Sequence, residues 1–138
     1  MRSCGPCTLC CTLTYVAELD KPERVTCEHC SAGCRIYAGR PQACASYQCA
    51  WLAGEMSEAM RPDLSHVMVE RYPLMVAALL EDGYAVANLP ADVLAELDQY
   101  VAQGLPVIAT GQFARLPVGM PAEEAKRRMV QTIREARP

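Results

Sequence analysis

No run of apolar residues in this sequence approaches the roughly 18 that a membrane-spanning helix needs, and the longest, Leu74 to Leu80, is strand-sized. A phosphate-cradling glycine loop, a dinucleotide fingerprint and a nucleophile elbow are all missing, as are internal repeats and low-complexity tracts. Charge of one sign is lacking too. The formal net charge is −3, which gives no electrostatic reason to expect a nucleic acid or an anionic membrane as partner. Nothing apolar follows the first charge in Met1-Arg2-Ser3-Cys4-Gly5-Pro6-Cys7, so no signal peptide is expected and a cytoplasmic setting is. Cysteine is absent from everything after residue 49. What remains is a chain of 138 residues, 51% hydrophobic and 21% charged, the balance of one folded unit rather than of disorder.

Nine cysteines crowd into the first 49 residues: Cys4, Cys7, Cys10, Cys11, Cys27, Cys30, Cys34, Cys44 and Cys49. An odd count and the adjacent pair Cys10-Cys11 fit a secreted disulfide framework poorly, because neighbouring cysteines bridge only with strain. Metal binding explains the spacing directly. In Cys4-x-x-Cys7-x-x-Cys10-Cys11 two intervening residues let a tight turn bring successive sulfurs together, with Gly5 and Pro6 supplying the turn. A second group, Cys27-Glu28-His29-Cys30-x-x-x-Cys34, is followed by Cys44 and Cys49, which are placed to complete a site from further along the chain. The side chains of Cys10 and Cys11 are expected to diverge. The count permits two four-sulfur sites with one cysteine spare, or a three-metal cluster with bridging thiolates. Zinc and an iron–sulfur cluster both accept four thiolates, and the spacing alone does not separate them.

The pattern Cys4-x-x-Cys7-x-x-Cys10-Cys11, then Cys27-x-His29, then Cys34-Arg35-Ile36-Tyr37-x-x-Arg40-Pro41-x-x-Cys44-x-x-Tyr47-x-Cys49-x-Trp51-Leu52 resembles the YkgJ-type CxxCxxCC cysteine-cluster family, a zinc- or iron-chelating domain. The resemblance covers residues 4 to 52. It implies a metal site on Cys4, Cys7, Cys10, Cys11, Cys27, Cys34, Cys44 and Cys49, with Cys30 as the spare thiol or a ninth ligand, because Cys30 stands where relatives carry an apolar residue. A related cysteine-rich domain occurs in flagellin lysine methylases, but this chain is too short to include an obvious methyl-donor domain, so no catalytic residue is assigned. With sulfur in excess, His29 reads as a turn residue or a hydrogen-bond donor to a ligand before it reads as a nitrogen ligand. Tyr37, Tyr47 and Trp51 read as packing around the sulfurs. Arg40 is either a fixed cation near them or half of a surface ion pair.

Beyond Trp51 the chain changes character. Residues 65–70, 74–80 and 84–87 are strand candidates, Asp82-Gly83 is a hairpin signal, and together they predict a β-meander. A helix is expected from near Asn88 to Gly104 with Pro90 in its first turn and an apolar stripe of Leu94, Leu97 and Val101, then a strand over 106–110 and a helix over 121–137. The fold class is therefore α+β: a cysteine-rich, metal-stapled segment, residues 1–54, followed by a small antiparallel sheet with two helices, residues 55–138, packed with it as one folding unit. His66 is expected to be structural, the methionines core filling, and Lys126-Arg127-Arg128 a solvated face. Three functions follow: a structurally stapled metal-binding module, an iron–sulfur redox protein or cluster-bearing part of an enzyme, and a metal chaperone or buffer. An enzyme is the less favoured reading, and any protein partner is unassigned.

Overall fold

The computed structural model describes residues 2–5, 7–109 and 112–136. The expected turn at Pro6, the end of the strand at Thr110 and the late charge Arg137 lie outside these residues. Two compact units divide the chain, residues 1–68 and 69–138, so the compositional change near residue 54 lies inside the first. Among the described residues no helix is long and apolar enough to cross a membrane.

The first unit contains short helices only. These are α1 (Leu9–Leu13), α2 (Gln42–Ser46) and α3 (Pro62–Ser65), with 3₁₀ turns at Ala17–Leu19, Tyr37–Gly39 and Glu58–Met60. Helices of four or five residues do not persist on their own, so side-chain contacts must hold them. Leu9, Leu13, Val16, Trp51, Met56 and Met60 are buried among them. The guanidinium of Arg2 lies 5.1 Å from the centre of the Trp51 ring and donates to the carbonyls of Trp51 and Met56, tying the N-terminus to this core. His66 is not strand-like: it ends α3 in the left-handed region at φ 63°. The arrangement suits a cap, where one residue leaves the helix before an extended segment begins at Val67.

Strand β1 (Val67–Arg71) spans the division and is joined to β2 (Val76–Leu80) by a tight connection in which Tyr72 N–H donates to the Met75 carbonyl at 2.9 Å. The sheet order is β1-β2-β3-β4, with β3 at Val107–Ala109 and β4 at Gln112–Arg115. Strands β2 and β3 run parallel, Val76 opposite Val107 and Ala78 opposite Ala109, while β3 and β4 are antiparallel with an irregularity between Val107 and Ile108. The sheet is therefore mixed, not the expected antiparallel meander. A parallel pair needs a crossover, and α4 (Ala91–Ala102) supplies it while packing against β3. The edge of β2 that residues 84–87 would have taken is occupied by β3. That segment instead runs exposed into a 3₁₀ turn at Val86–Asn88.

Helix α4 begins one residue after Pro90, not at Asn88, and its buried residues are Val93, Leu97 and Tyr100, a stripe rotated from the expected Leu94, Leu97 and Val101. Gly104, at φ +87°, ends it with its N–H on the Val101 carbonyl. Helix α5 (Ala122–Ala136) carries Glu123 and Glu124 in its first turn and Arg134 in its last, the polarity a helix dipole favours. Arg128 departs from the solvated-face expectation: it donates to the carbonyls of Leu74 (3.2 Å) and Gly104 (3.1 Å). Among the described residues there are five α-helices, three of them short, where two were expected.

Candidate functional site

A cavity of about 120 Å³ in the first unit gathers most of the cysteines. Cys4, Cys7, Cys10 and Cys11 reach it from the N-terminal turn and α1, Cys27 and Cys34 from the second group, and Cys44 from α2. One water needs about 10–15 Å³ by the same kind of measure, so the space exceeds that of one small ligand atom several-fold. Cys49 is buried but does not line it, and neither Cys30 nor His29 does. All nine cysteines are free thiols. Among the described residues, no three of the potential ligands converge closely enough to hold one metal ion. Cys4, Cys10 and Cys11 are linked by thiol hydrogen bonds, and the other cysteines reach the same cavity from separate segments.

Local backbone bonds explain how distant segments meet. Cys7 N–H donates to the Cys4 carbonyl at 2.9 Å, closing the first turn. Cys27 N–H donates to the Cys11 carbonyl at 2.8 Å, fixing the second cysteine group beside α1. The carboxylate of Glu18 accepts from the N–H groups of Gln42 (3.2 Å) and Ala43 (2.8 Å), capping α2 from 24 residues away and orienting the helix that carries Cys44. Several sulfurs also receive backbone donors. Leu9 and Asp63 N–H groups point at Cys7, Trp51 and Leu52 N–H groups at Cys49, and His29 N–H at Cys27 at 3.4 Å. Such bonds favour the thiolate and are common around thiolate-bound metals. His29 thus contributes through its backbone, while its imidazole Nε2 sits 3.5 Å from Glu28.

The thiols do not titrate alike. A hydrogen bond from Cys10 pulls Cys4 down to about 6, with further help from the charge of Arg40 and a bond from Tyr37, against the opposing effect of burial. A bond from Cys10 also pulls Cys11 down to about 6, again against burial, with a second bond from Cys30 and the charge of Lys21 assisting. The converse holds for Cys10: its proton is shared with Cys11 and Cys4, which pushes its own value up, and burial adds to the rise. Burial pushes Cys7, Cys44 and Cys49 up as well. Cys4 and Cys11 are thus the thiols of this trio that part with a proton most readily, and Cys10 the one that holds it.

Two cations border the same space. Arg40 lies 3.8 Å from the centre of the Tyr37 ring, so the fixed-cation reading matches its position on the wall. Sequence reasoning missed Lys21, whose only signal was scarcity: it is the sole lysine in the cysteine-rich half. Its residue is 5% exposed, and its ammonium donates to the carbonyls of Thr12 (3.3 Å), Pro22 (3.1 Å) and Thr14. Val16 and Lys21 form a small antiparallel bridge around the 3₁₀ turn that ends at Asp20, in the left-handed region. Lys21→Met is expected to destabilise the protein by about 2–4 kcal/mol, because three carbonyls lose a charged donor. A denaturation midpoint unchanged from wild type, read by Trp51 fluorescence, would show the ammonium to be dispensable.

Apolar and aromatic residues complete the wall, among them Val16, Ile36, Tyr37, Tyr47 and Leu52. Trp51 is placed apart from it, under Arg2, with its indole N–H 3.3 Å from Glu58. Two of the cavity's aromatic lining residues, Tyr15 and Tyr37, are 63% and 41% exposed. Soft sulfur donors, adjacent cations and partial exclusion of water together suit a thiophilic metal centre. Compared with protein-family models, with curated proteins and with solved structures, the chain matches none.

Proposed function

We propose that residues 4–49 hold a thiophilic metal through cysteine thiolates, as zinc or as an iron–sulfur cluster, and that the protein is a metal-binding module of the cytoplasm. The observation that carries this reading is the gathering of seven cysteines from separate segments around one cavity. Cys4, Cys7, Cys10, Cys11, Cys27, Cys34 and Cys44 would supply the ligands, with Cys49 beside them. The resemblance to the YkgJ-type family over residues 4 to 52 points the same way. Bound metal would supply the N-terminal unit with cross-links that its short helices and modest apolar core do not.

Seven cysteines around one cavity are more than the four that one zinc ion takes, and that surplus supports a second reading, an iron–sulfur electron carrier or the cluster-bearing part of an enzyme. A chaperone or buffer would draw on the exposed lining residues Tyr15 and Tyr37 for metal exchange.

Metal analysis with a visible spectrum, on protein purified without oxygen, tests the proposal. Iron with acid-labile sulfide and a broad band in the visible would identify a cluster, and stoichiometric zinc in a colourless protein a thiolate zinc site. Protein that holds no stoichiometric metal after anaerobic purification and refuses both on reconstitution would overturn the reading. Acid should release a zinc ion, since protons compete with metal for thiolates, so zinc retained in full below about pH 4 is not the expected result.

A further inference from the structure

Helix α5 commits little of its surface to the second unit. Of its 15 residues, Ala125 and Thr132 are buried, and the outward face carries a groove of about 460 Å³ lined by Glu123, Lys126, Arg127, Val130, Gln131 and Arg134. We infer that this face is a docking surface for an acidic helix of a partner protein, whose carboxylates meet Lys126, Arg127 and Arg134 around an apolar contact on Val130 and Ile133. Docking there does not depend on bound metal.

Helical spacing brings these residues together. At about 3.6 residues per turn, positions 123, 127, 130 and 134 fall in one stripe along the helix, with 126 and 133 beside it on the same outward side. The run of adjacent cations is thereby sorted. Arg128 turns to the protein, where it donates to the carbonyls of Leu74 and Gly104 and meets Glu124 at 3.3 Å, while Gln131 donates to Glu135 at 3.0 Å. Two carboxylates of the helix are thus engaged, and Glu123 is the one carboxylate among the lining residues, against three cations. Among the described residues, the side chains of Lys126, Arg127 and Arg134 enter no hydrogen bond or ion pair. Val130 and Ile133 are 37% and 48% exposed beside them. Singly, such apolar residues are ordinary on a surface; set among unpaired cations, they match a ligand that is acidic at its edges and apolar at its centre.

From Arg127 to Arg134 the helix advances by about 10 Å, at about 1.5 Å per residue. A second helix lying alongside matches that interval with carboxylates seven residues apart and an apolar residue three or four positions after the first. Glu123 disfavours a further carboxylate at its end of the groove, which selects the direction in which the partner lies. A second copy of α5 would set the same three cations against themselves. A lipid surface calls for Trp, Phe or Leu on the apolar face, and α5 has none of them. A nucleic acid calls for a basic excess, which the net charge of −3 and Glu123 oppose.

The test uses the full chain and, as probe, a fluorescent synthetic helix of about 18 residues with glutamates at i and i+7 and leucines between them on the same face. A peptide of the same composition in scrambled order, vesicles containing phosphatidylserine and a short DNA duplex are measured beside it. Anisotropy is expected to show binding of the ordered peptide at low salt, weakened about tenfold in the double variant Lys126→Glu with Arg127→Glu and about tenfold between roughly 0.05 and 0.5 M salt. Amide NMR of the wild-type chain, which needs no variant to fold, is expected to place the largest shifts on addition of peptide at Lys126, Arg127, Val130 and Arg134. Equal affinity for the scrambled peptide, unchanged affinity in the charge-reversed chain, shifts centred away from α5, or no binding at millimolar peptide would each overturn the inference. Tighter binding to the vesicles or the duplex than to the ordered peptide would assign the face to another class of partner and overturn it as well.

Discussion

On the metal-binding proposal, Cys44→Ser, and Cys7→Ser with it, is expected to remove most of the bound metal and to unfold residues 1–68, whereas Cys30→Ser leaves both as they were. The difference follows from position. Cys44 lines the cavity from a five-residue helix capped by the distant Glu18, and Cys7 is buried in the turn that opens α1. Neither helix survives without its surroundings. Structural zinc in small domains contributes on the order of 10–16 kcal/mol at neutral pH, comparable to or larger than the roughly 5–15 kcal/mol by which whole domains are stable. With Cys7 and Cys44 as the proposed ligands, losing either would therefore remove a large share of what holds this unit. Trp51 makes the effect readable, because it is the only tryptophan in the chain and is 5% exposed. Its emission should shift to that of a solvated indole in Cys7→Ser and Cys44→Ser and stay in place in Cys30→Ser. Metal content that falls equally in all three would remove the distinction between Cys30 and the cavity cysteines; full retention in Cys44→Ser would remove Cys44 from the ligand set.

The cysteine pattern was legible because a two-residue spacing constrains the chain locally, whatever lies around it. Seven of the eight cysteines proposed as ligands do reach one cavity, and Cys49 is buried near it. What the spacing did not convey is distance between sulfurs, which depends on how Glu18 aims α2 and how the loop at Ala32 and Gly33 turns. Lys21 was invisible for a different reason. A buried cation leaves no periodic signature, and its partners are backbone carbonyls that every residue possesses. In the second half, Leu74 to Leu80 was a legible strand, but a short apolar run carries no record of whether its neighbour is parallel. Tyr84-Ala-Val-Ala87 has strand-like composition and lost its place to β3, whose sequence neighbour α4 delivers it from the far side of a crossover. Strand β4, Gln112–Arg115, shows no clear alternation and half-buried faces, so period alone could not find it.

Leu97→Ala is expected to cost the second unit about 3–4 kcal/mol, while Asp98→Ala, one residue on, costs under about 1 kcal/mol. Leu97 is 0% exposed on the buried stripe of α4, between Val93 and Tyr100, and that helix packs against β3. Truncation forfeits the transfer energy of the side chain and leaves a void that a crossover helix, anchored at both ends to neighbouring parallel strands, cannot readily close. Asp98 faces the other way. It forms an ion pair with Arg115, but the two side chains are 44% and 37% exposed, so water already screens the attraction. Both changes are read as shifts in the urea midpoint followed by helix circular dichroism. The pair also decides the helix's orientation, because the stripe of Leu94, Leu97 and Val101 would make Val101→Ala more damaging than Val93→Ala, whereas Val93 is the buried one of the two. A larger midpoint shift in Val101→Ala would therefore turn α4 about its axis. With no cysteine in residues 69–138, this apolar contact is the kind of interaction on which the unit must rely.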